Sequence, residues 1–352
     1  MPRIAYSDLY DVLVRACEHL GLREERAALC ARLFAETTRD GVYTHGVNRF
    51  PRFAEMVRNG SIDVAAAPVR VTGAAAISQA PVSQAPVFQA IERWDGRLGP
   101  GNLNAYAAME RAIALAREHG LGCVALANTN HWMRGGSYGW QAADAGVFAI
   151  CWTNTLPNLP AWGATTPTLG NNPLVIAVPG PEMGHHVVLD MAMSQFSYGS
   201  LSAYKDRGAL LPVPGGYNSA GELTRDPAAI EASQRALAIG YWKGSGLSLV
   251  LDMFAAMLSG GLAAHQIPRE STRESGVSQF FLAINPRAVS TVAELDRIAE
   301  GILQSLRDAV PVDTASPPRY PGEQTLTLRK ENLRFGVPVD ADIWARLQGL
   351  SF

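Results

Sequence analysis

Five short apolar runs in the middle of the chain, Cys123 to Ala127, Val147 to Trp152, Leu174 to Val178, Val187 to Met191 and Gln279 to Ile284, constrain its fold more than any other feature. Each has the length of a single strand and is bounded by polar or glycine-containing turns, which predicts buried strands of one sheet. The chain ends read differently. Ser7 is placed to cap a helix carrying Leu9, Val12, Leu13, Ala16 and Leu20, closed by Gly21, and a second amphipathic run aligns Ala27, Cys30, Ala31 and Phe34. Pro51 suits the first turn of a third helix that Gly60 ends. Further helices are expected at 103–119, from Tyr138, from about Gln195, over Leu247 to Leu258, near 292–307 and at the C-terminus. The class is α/β or α+β, a central sheet with helices at both chain ends. The expected division is a helical unit of 1–70 plus 290–352 and a sheet unit of 71–289.

Composition removes several function classes. The formal net charge is −2 and both signs are scattered over the 352 residues, so no basic patch offers a track for nucleic acid. Asp8, Asp11 and Glu18 interrupt any apolar stretch near the start, so no secretory leader is expected. The apolar stretch Leu247 to Ala264 contains Asp252 and ends in glycines, and reads as a buried helix of a soluble protein rather than a membrane span. Cys17, Cys30, Cys123 and Cys151 lie in apolar segments without Cys-x-x-Cys spacing, which predicts reduced core thiols and a cytoplasmic protein. Residues 78–90 repeat Ser-Gln-Ala-Pro-Val, with Pro81 and Pro86 arguing for an extended surface loop.

No Gly-x-Gly-x-x-Gly joins a strand to a helix, so a conventional dinucleotide fold is disfavoured. The segment Asp40 to Arg52 (DGVYTHGVNRFPR) sets His45 and Arg49 four residues apart near a helix start. Reduction of a carbonyl next to a carboxylate needs a proton donor and a cation that grips the acid, and these two side chains supply both. The plain alternative is a structural surface pair. His131 and Arg134, in the loop NTNHWMRGG between a strand and a helix, are further candidates, against a reading as turn cap and solvated charge. Asp190 ends an apolar strand and needs a partner. An imidazolium would serve, and pairing would raise that histidine's pKa; the alternative is a carboxylate at a helix N-terminus. Lys243-Gly-Ser-Gly near a helix start suits a diphosphate, and Gly170-Asn-Asn-Pro is a turn that lets backbone approach a ligand. The adjacent His185 and His186 lack further spaced ligands, so no metal site is expected.

Together, Gly41 to Phe53 (GVYTHGVNRFPRF), Asn130 to Ala143 (NHWMRGGSYGWQAA), Phe196 to Gly199 (FSYG) and Gly240 to Gly246 (GYWKGSG) resemble the malate/L-lactate dehydrogenase family of the second, non-Rossmann type, over about Ser7 to Gln348. The resemblance implies a homodimer with a mostly antiparallel central sheet flanked by helices, and NAD(P)H-dependent reduction of a small 2-oxo acid, with NAD(H) expected ahead of NADP(H). It assigns the catalytic acid to His45, with Asp190 orienting it, and the substrate carboxylate to Arg49. Thr44 stands where serine is common, and His131 falls in the substrate pocket with Arg134. Cofactor contacts carry over to Leu169, Gly170, Asn171, Asn172, Pro173, Leu174 and Val175, to Trp242 and Lys243, and to Gly322, Glu323 and Gln324. Malate, lactate, ureidoglycolate, sulfolactate and the cyclic imine Δ1-piperideine-2-carboxylate are rival substrates. A nucleotide-binding protein without turnover is the rival outside enzymes.

Overall fold

In the computed structural model, which describes residues 1–71, 90–182 and 184–350, alternate side chains of the central strands pack into two different cores. The chain opens with β1 (Arg3–Ile4), α1 (Tyr6–His19), α2 (Glu24–Arg39) and α3 (Phe50–Arg58). Then come β2 (Val69–Arg70), β3 (Ile91–Asp95), α4 (Gly101–His119), β4 (Leu121–Asn130), α5 (Gly136–Asp144) and β5 (Phe148–Thr153). A ribbon of β6 (Pro157–Pro160) and β7 (Pro167–Gly170) leads to β8 (Leu174–Val178) and β9 (Val187–Met191). Next are α6 (Tyr198–Asp206), a small pair β10 (Gly216–Tyr217) and β11 (Leu223–Thr224), α7 (Pro227–Ser233) and α8 (Trp242–Ser259). The chain ends with β12 (Ser275–Ile284), α9 (Val292–Arg307), α10 (Glu323–Phe335), β13 (Val337–Pro338) and α11 (Ala341–Leu350).

The large sheet runs β2-β3-β4-β12-β5-β8-β9. Its pairs are antiparallel except β3 with β4. Side chains alternate across it with the period of two that a strand imposes. Val124 and Leu126 of β4, Ala149 and Cys151 of β5, and Phe281 and Ala283 of β12 enter the core shared with α4 and α5. Their neighbours Cys123, Ala125, Trp152 and Phe280 enter the core shared with α8. Both faces are covered, so these runs are apolar at nearly every position rather than at every second one. A third cluster joins α1, α2 and α3 to Val337, Val339 and Leu347 from the far end of the chain, with Leu103 and Met133 reaching in from the sheet side. Pairing of β1 with β13 ties the two ends together.

Most predicted elements stand close to their expected bounds, and two details differ. Ser7 lies inside α1, whose first turn carries no side-chain cap; Asp8 there and His19 in the last turn suit the helix dipole instead. The expected buried helix 247–258 is α8, but Leu249, Val250, Met253, Phe254, Met257 and Leu258 are exposed. Its inward face is built of small and polar residues, Gly244, Ser245, Ser248, Asp252, Ala255 and Ser259, with Leu251. Asp252 accepts from Asn154 Nδ2 and from Ala264 N–H, which is how a carboxylate is tolerated there. The expectation for the repeat 78–90 falls almost wholly outside the described residues. All four cysteines are free and buried.

The antiparallel register brings separate segments to one end of the sheet. Ser275, opening β12, pairs with Asn130, closing β4. Leu174, opening β8, pairs with Met191, closing β9, and with Trp152 near the end of β5. The loops carrying His131, Asn171 and Glu274 therefore emerge beside the end of β9 that carries Asp190.

Candidate active site

A cavity of about 750 Å³ opens at that end of the sheet. Its wall includes Thr44, His45, Arg49, His131, Arg134 and Asp190, the whole catalytic and substrate set predicted from sequence. His45 and Arg49 sit on two successive 3-10 turns, Tyr43–His45 and Val47–Arg49, between α2 and α3. Gly46 joins them because a Cβ there would lie 2.3 Å from Thr38 Oγ1. The Thr38 hydroxyl instead accepts from the Val47 N–H at 2.9 Å and fixes the bend.

The His45 ring stacks on His131, with ring centroids 5.8 Å apart and planes 20° from parallel. Thr44 Oγ1 lies 3.0 Å from His45 Nδ1 and holds the ring. His131 Nδ1 accepts from the Met133 N–H at 3.0 Å, so this histidine closes its own turn and lines the cavity as well. Burial, then the charges of Arg49 and Arg134, push the His45 pKa down to about 4. Burial, then Arg49, drive His131 well below the usual range too. Arg49 itself is lowered to about 10 by burial and by Arg52, and stays cationic at neutral pH.

The predicted pairing of Asp190 with His45 is not what the fold makes. Asp190 is exposed to the cavity, and it accepts from the Gly136 N–H at 2.7 Å, at the start of α5. It is a carboxylate at a helix N-terminus, the alternative reading, though on α5 rather than on the helix after Ser194. Burial raises its pKa, with Arg134 and the Gly136 bond opposing. No hydrogen bond joins it to His45 among the described residues, and the His45 pKa is lowered rather than raised.

Arg134 is buried, not solvated. Its Nη1 donates to Asp40 Oδ2 at 2.8 Å. Asp40 also takes two bonds from Arg329 of α10, at 2.8 and 2.7 Å, and one from Arg39 at 2.9 Å. Burial works to raise the Asp40 pKa, but the Arg329 hydrogen bonds and the charges of Arg134, Arg39 and Arg329 overcome it and hold the carboxyl far below the usual range. This junction ends α2 immediately before the segment bearing His45. Nothing in the spacing of residues 39, 40, 134 and 329 announces it, and Asp40 reads from sequence only as a turn residue.

Of the predicted cofactor set, Asn171 and Pro173 line the cavity. Leu169, Gly170, Asn172, Leu174 and Val175 are buried behind it. Asn172 is structural: its Nδ2 donates to Ser248 O and Oγ, and its Oδ1 accepts from the Thr155 N–H. Trp242 and Lys243, in the exposed first turn of α8, and Gly322, Glu323 and Gln324, at the start of α10, do not line this cavity. Leu156, Pro157 and Asn158, together with Ser197 to Ser200, form more of its wall. His186, away from the cavity, lies 2.9 Å from Asp144 through its Nε2.

The family model for malate/L-lactate dehydrogenase matches residues 4–348. The chain belongs to the malate/L-lactate dehydrogenase family. It is therefore an oxidoreductase of hydroxy and oxo acids, and the expected non-Rossmann, mixed α/β fold with a mostly antiparallel sheet is the one observed. It is 43% identical to a 2,3-diketo-L-gulonate reductase of Citrobacter koseri over 99% of this chain and 100% of that one. Among solved structures, the sulfolactate dehydrogenase of Methanocaldococcus jannaschii superposes with a TM-score of 0.86 at 25% identity, covering 99% of this chain and 96% of that one. A malate dehydrogenase of Entamoeba histolytica reaches 0.88 at 22% identity, covering 99% and 97%, which bears on the fold alone.

Proposed function

We propose that this protein reduces a small 2-oxo acid with a nicotinamide cofactor, and that the acid is 2,3-diketo-L-gulonate, giving 3-dehydro-L-gulonate. The observation that carries the reading is the placement of His45 and Arg49 on adjoining turns in one cavity, with His131 stacked behind the first. The substrate follows the name of relatives 43% identical over their full length. Arg49 grips the substrate carboxylate, and His45 gives a proton from Nε2 to the carbonyl oxygen as it gains charge. In the free site His45 is neutral at pH 7 because Arg49 and Arg134 add to the effect of burial. An arriving carboxylate offsets the Arg49 charge and raises the His45 pKa, so acid and proton are taken up together. Asp190 acts at a remove, fixing the start of α5 and the loop that carries Arg134.

The residues present fit a nicotinamide. The cavity exceeds what a six-carbon acid needs, and Asn171 and Pro173 contribute to the same wall as His45. When bound, that group supplies the hydride. NAD(H) is the cofactor we expect ahead of NADP(H). The test is loss of absorbance of NADH, then NADPH, with 2,3-diketo-L-gulonate and a panel of other 2-oxo acids. Turnover with NADH and the diketo acid is expected, and no turnover with any member would sink the reading in favour of a binding protein.

A homodimer is part of the proposal, supported by α8. Burying small residues while exposing Met253, Phe254 and Met257 is the reverse of a surface helix, and such a face fits a second copy of the chain. Light scattering should give twice the chain mass, and Phe254→Glu with Met257→Glu should halve it. A monomeric wild type at micromolar concentration would refute this part. The four free, buried thiols suit a reducing, cytoplasmic setting.

A further inference from the structure

Glu274 stands in the wall of the cavity with no part in the chemistry above. It is 4% exposed and ends the turn that runs into β12. The turn is pinned from outside: Arg52 donates from Nε to the Ser271 carbonyl at 2.8 Å, and Asn59 Nδ2 to the Thr272 carbonyl at 3.0 Å. One Glu274 oxygen accepts weakly from the Leu156 N–H at 3.3 Å. The other lies 3.7 Å from the Arg49 guanidinium, beyond hydrogen-bond distance. A carboxylate offers about four acceptor sites, and among the described residues one hydrogen bond, from the Leu156 N–H, reaches them here. The second oxygen opens onto the cavity, where the donors of a ligand can reach it.

Charge narrows what can complete it. Arg49 and Arg52 both act on Glu274, so this part of the wall has room for one carboxylate and then presents a negative group. Of the other lining charges, Arg134 is taken by Asp40 and Asp190 by the Gly136 N–H, while Arg269, exposed at the rim, donates to the Pro167 carbonyl and keeps its charge. A second anionic group on the ligand would meet Glu274 at close range, and an apolar tail would leave its acceptor sites empty. Hydroxyl groups would fill them.

We propose that Glu274 sets the substrate class, selecting 2-oxo acids whose remainder is uncharged and carries hydroxyls, and rejecting those with a second acidic group. The inference rests on the 2-oxo acid reading given above. Like-charge opposition and unpaired buried acceptors are both recognised means of rejecting a wrong ligand.

The test is Glu274→Gln, which keeps the shape and the acceptor for the Leu156 N–H. The ratio of kcat/KM is measured for oxaloacetate over pyruvate and for 2,3-diketo-L-gulonate over pyruvate. Acids turned over too slowly are compared as competitive inhibitors. The first ratio should rise by at least about tenfold and the second should fall. Changes of opposite sign cannot come from a damaged fold. Ratios unchanged within about twofold, or three acids weakened alike, would overturn the proposal. A wild type that ignores the diketo acid would overturn the assigned substrate, and the oxaloacetate-to-pyruvate ratio would still decide the role of Glu274.

Discussion

Replacing His45 with Gln is expected to lower turnover by about 10²- to 10⁴-fold, the usual worth of a positioned general acid. Binding of NADH, followed by fluorescence, should stay near the wild-type level, because the ring is anchored through Thr44 and stacked on His131 rather than on the cofactor residues of the β7–β8 turn. The pH dependence gives a second readout. With the free-enzyme pKa pushed down to about 4, His45 is neutral across the physiological range. For reduction, kcat/KM should therefore rise by roughly tenfold for each unit of pH lowered from 7 towards 4, while the protein stays folded. For oxidation of the hydroxy acid, which needs the neutral ring, kcat/KM should persist below pH 6.5 and decline only near 4. Both dependences should vanish in the variant. Near-normal turnover would instead move the proton to His131. The same depressed pKa has a stability consequence: nothing is lost above pH 6.5, where folded and unfolded rings are both neutral, and stability declines as pH falls from there towards 4.

Asp40→Ala is expected to cost about 3–5 kcal/mol of stability, the range seen when one member of a buried ion cluster is removed. Asp40 is 3% exposed and accepts from three arginines, so its loss leaves Arg39, Arg134 and Arg329 facing one another. Asp40→Asn keeps the shape but not the charge and should fall between the two. Urea unfolding measures the change, and a loss under about 1 kcal/mol would mean that the cluster is solvated in solution. The sign with pH also follows. A carboxyl held below its unfolded pKa stabilises at neutral pH, and that contribution fades as the pH drops below about 4. Activity should suffer beyond stability, since Asp40 anchors Arg134 and the start of the segment bearing His45.

The sequence by itself determined the strands, the helices at both ends and the residue types of the site. Leu174–Val178 and Val187–Met191 end where their apolar runs end, because most of their side chains pack at least partly against neighbours, with Ile176 and Asp190 the exposed positions. His45 and Arg49 were legible because both stand in one short segment whose local turns decide their spacing. Tertiary structure decided what long-range packing controls. The register of the sheet brings His131 beside His45 and Asp190 into the same cavity, but it gives Asp190 to the Gly136 N–H, so the expected ion pair with His45 does not form. Asp40 and Glu274 acquire their meaning from partners about 90 to 290 and about 120 to 220 residues distant. The composition of α8 promised a buried helix, yet only the fold shows which face is buried, and its apolar residues lie on the other. A pattern along the chain fixes local geometry and the need for burial, whereas charge partners and covered faces depend on distances that exist only after the sheet has assembled.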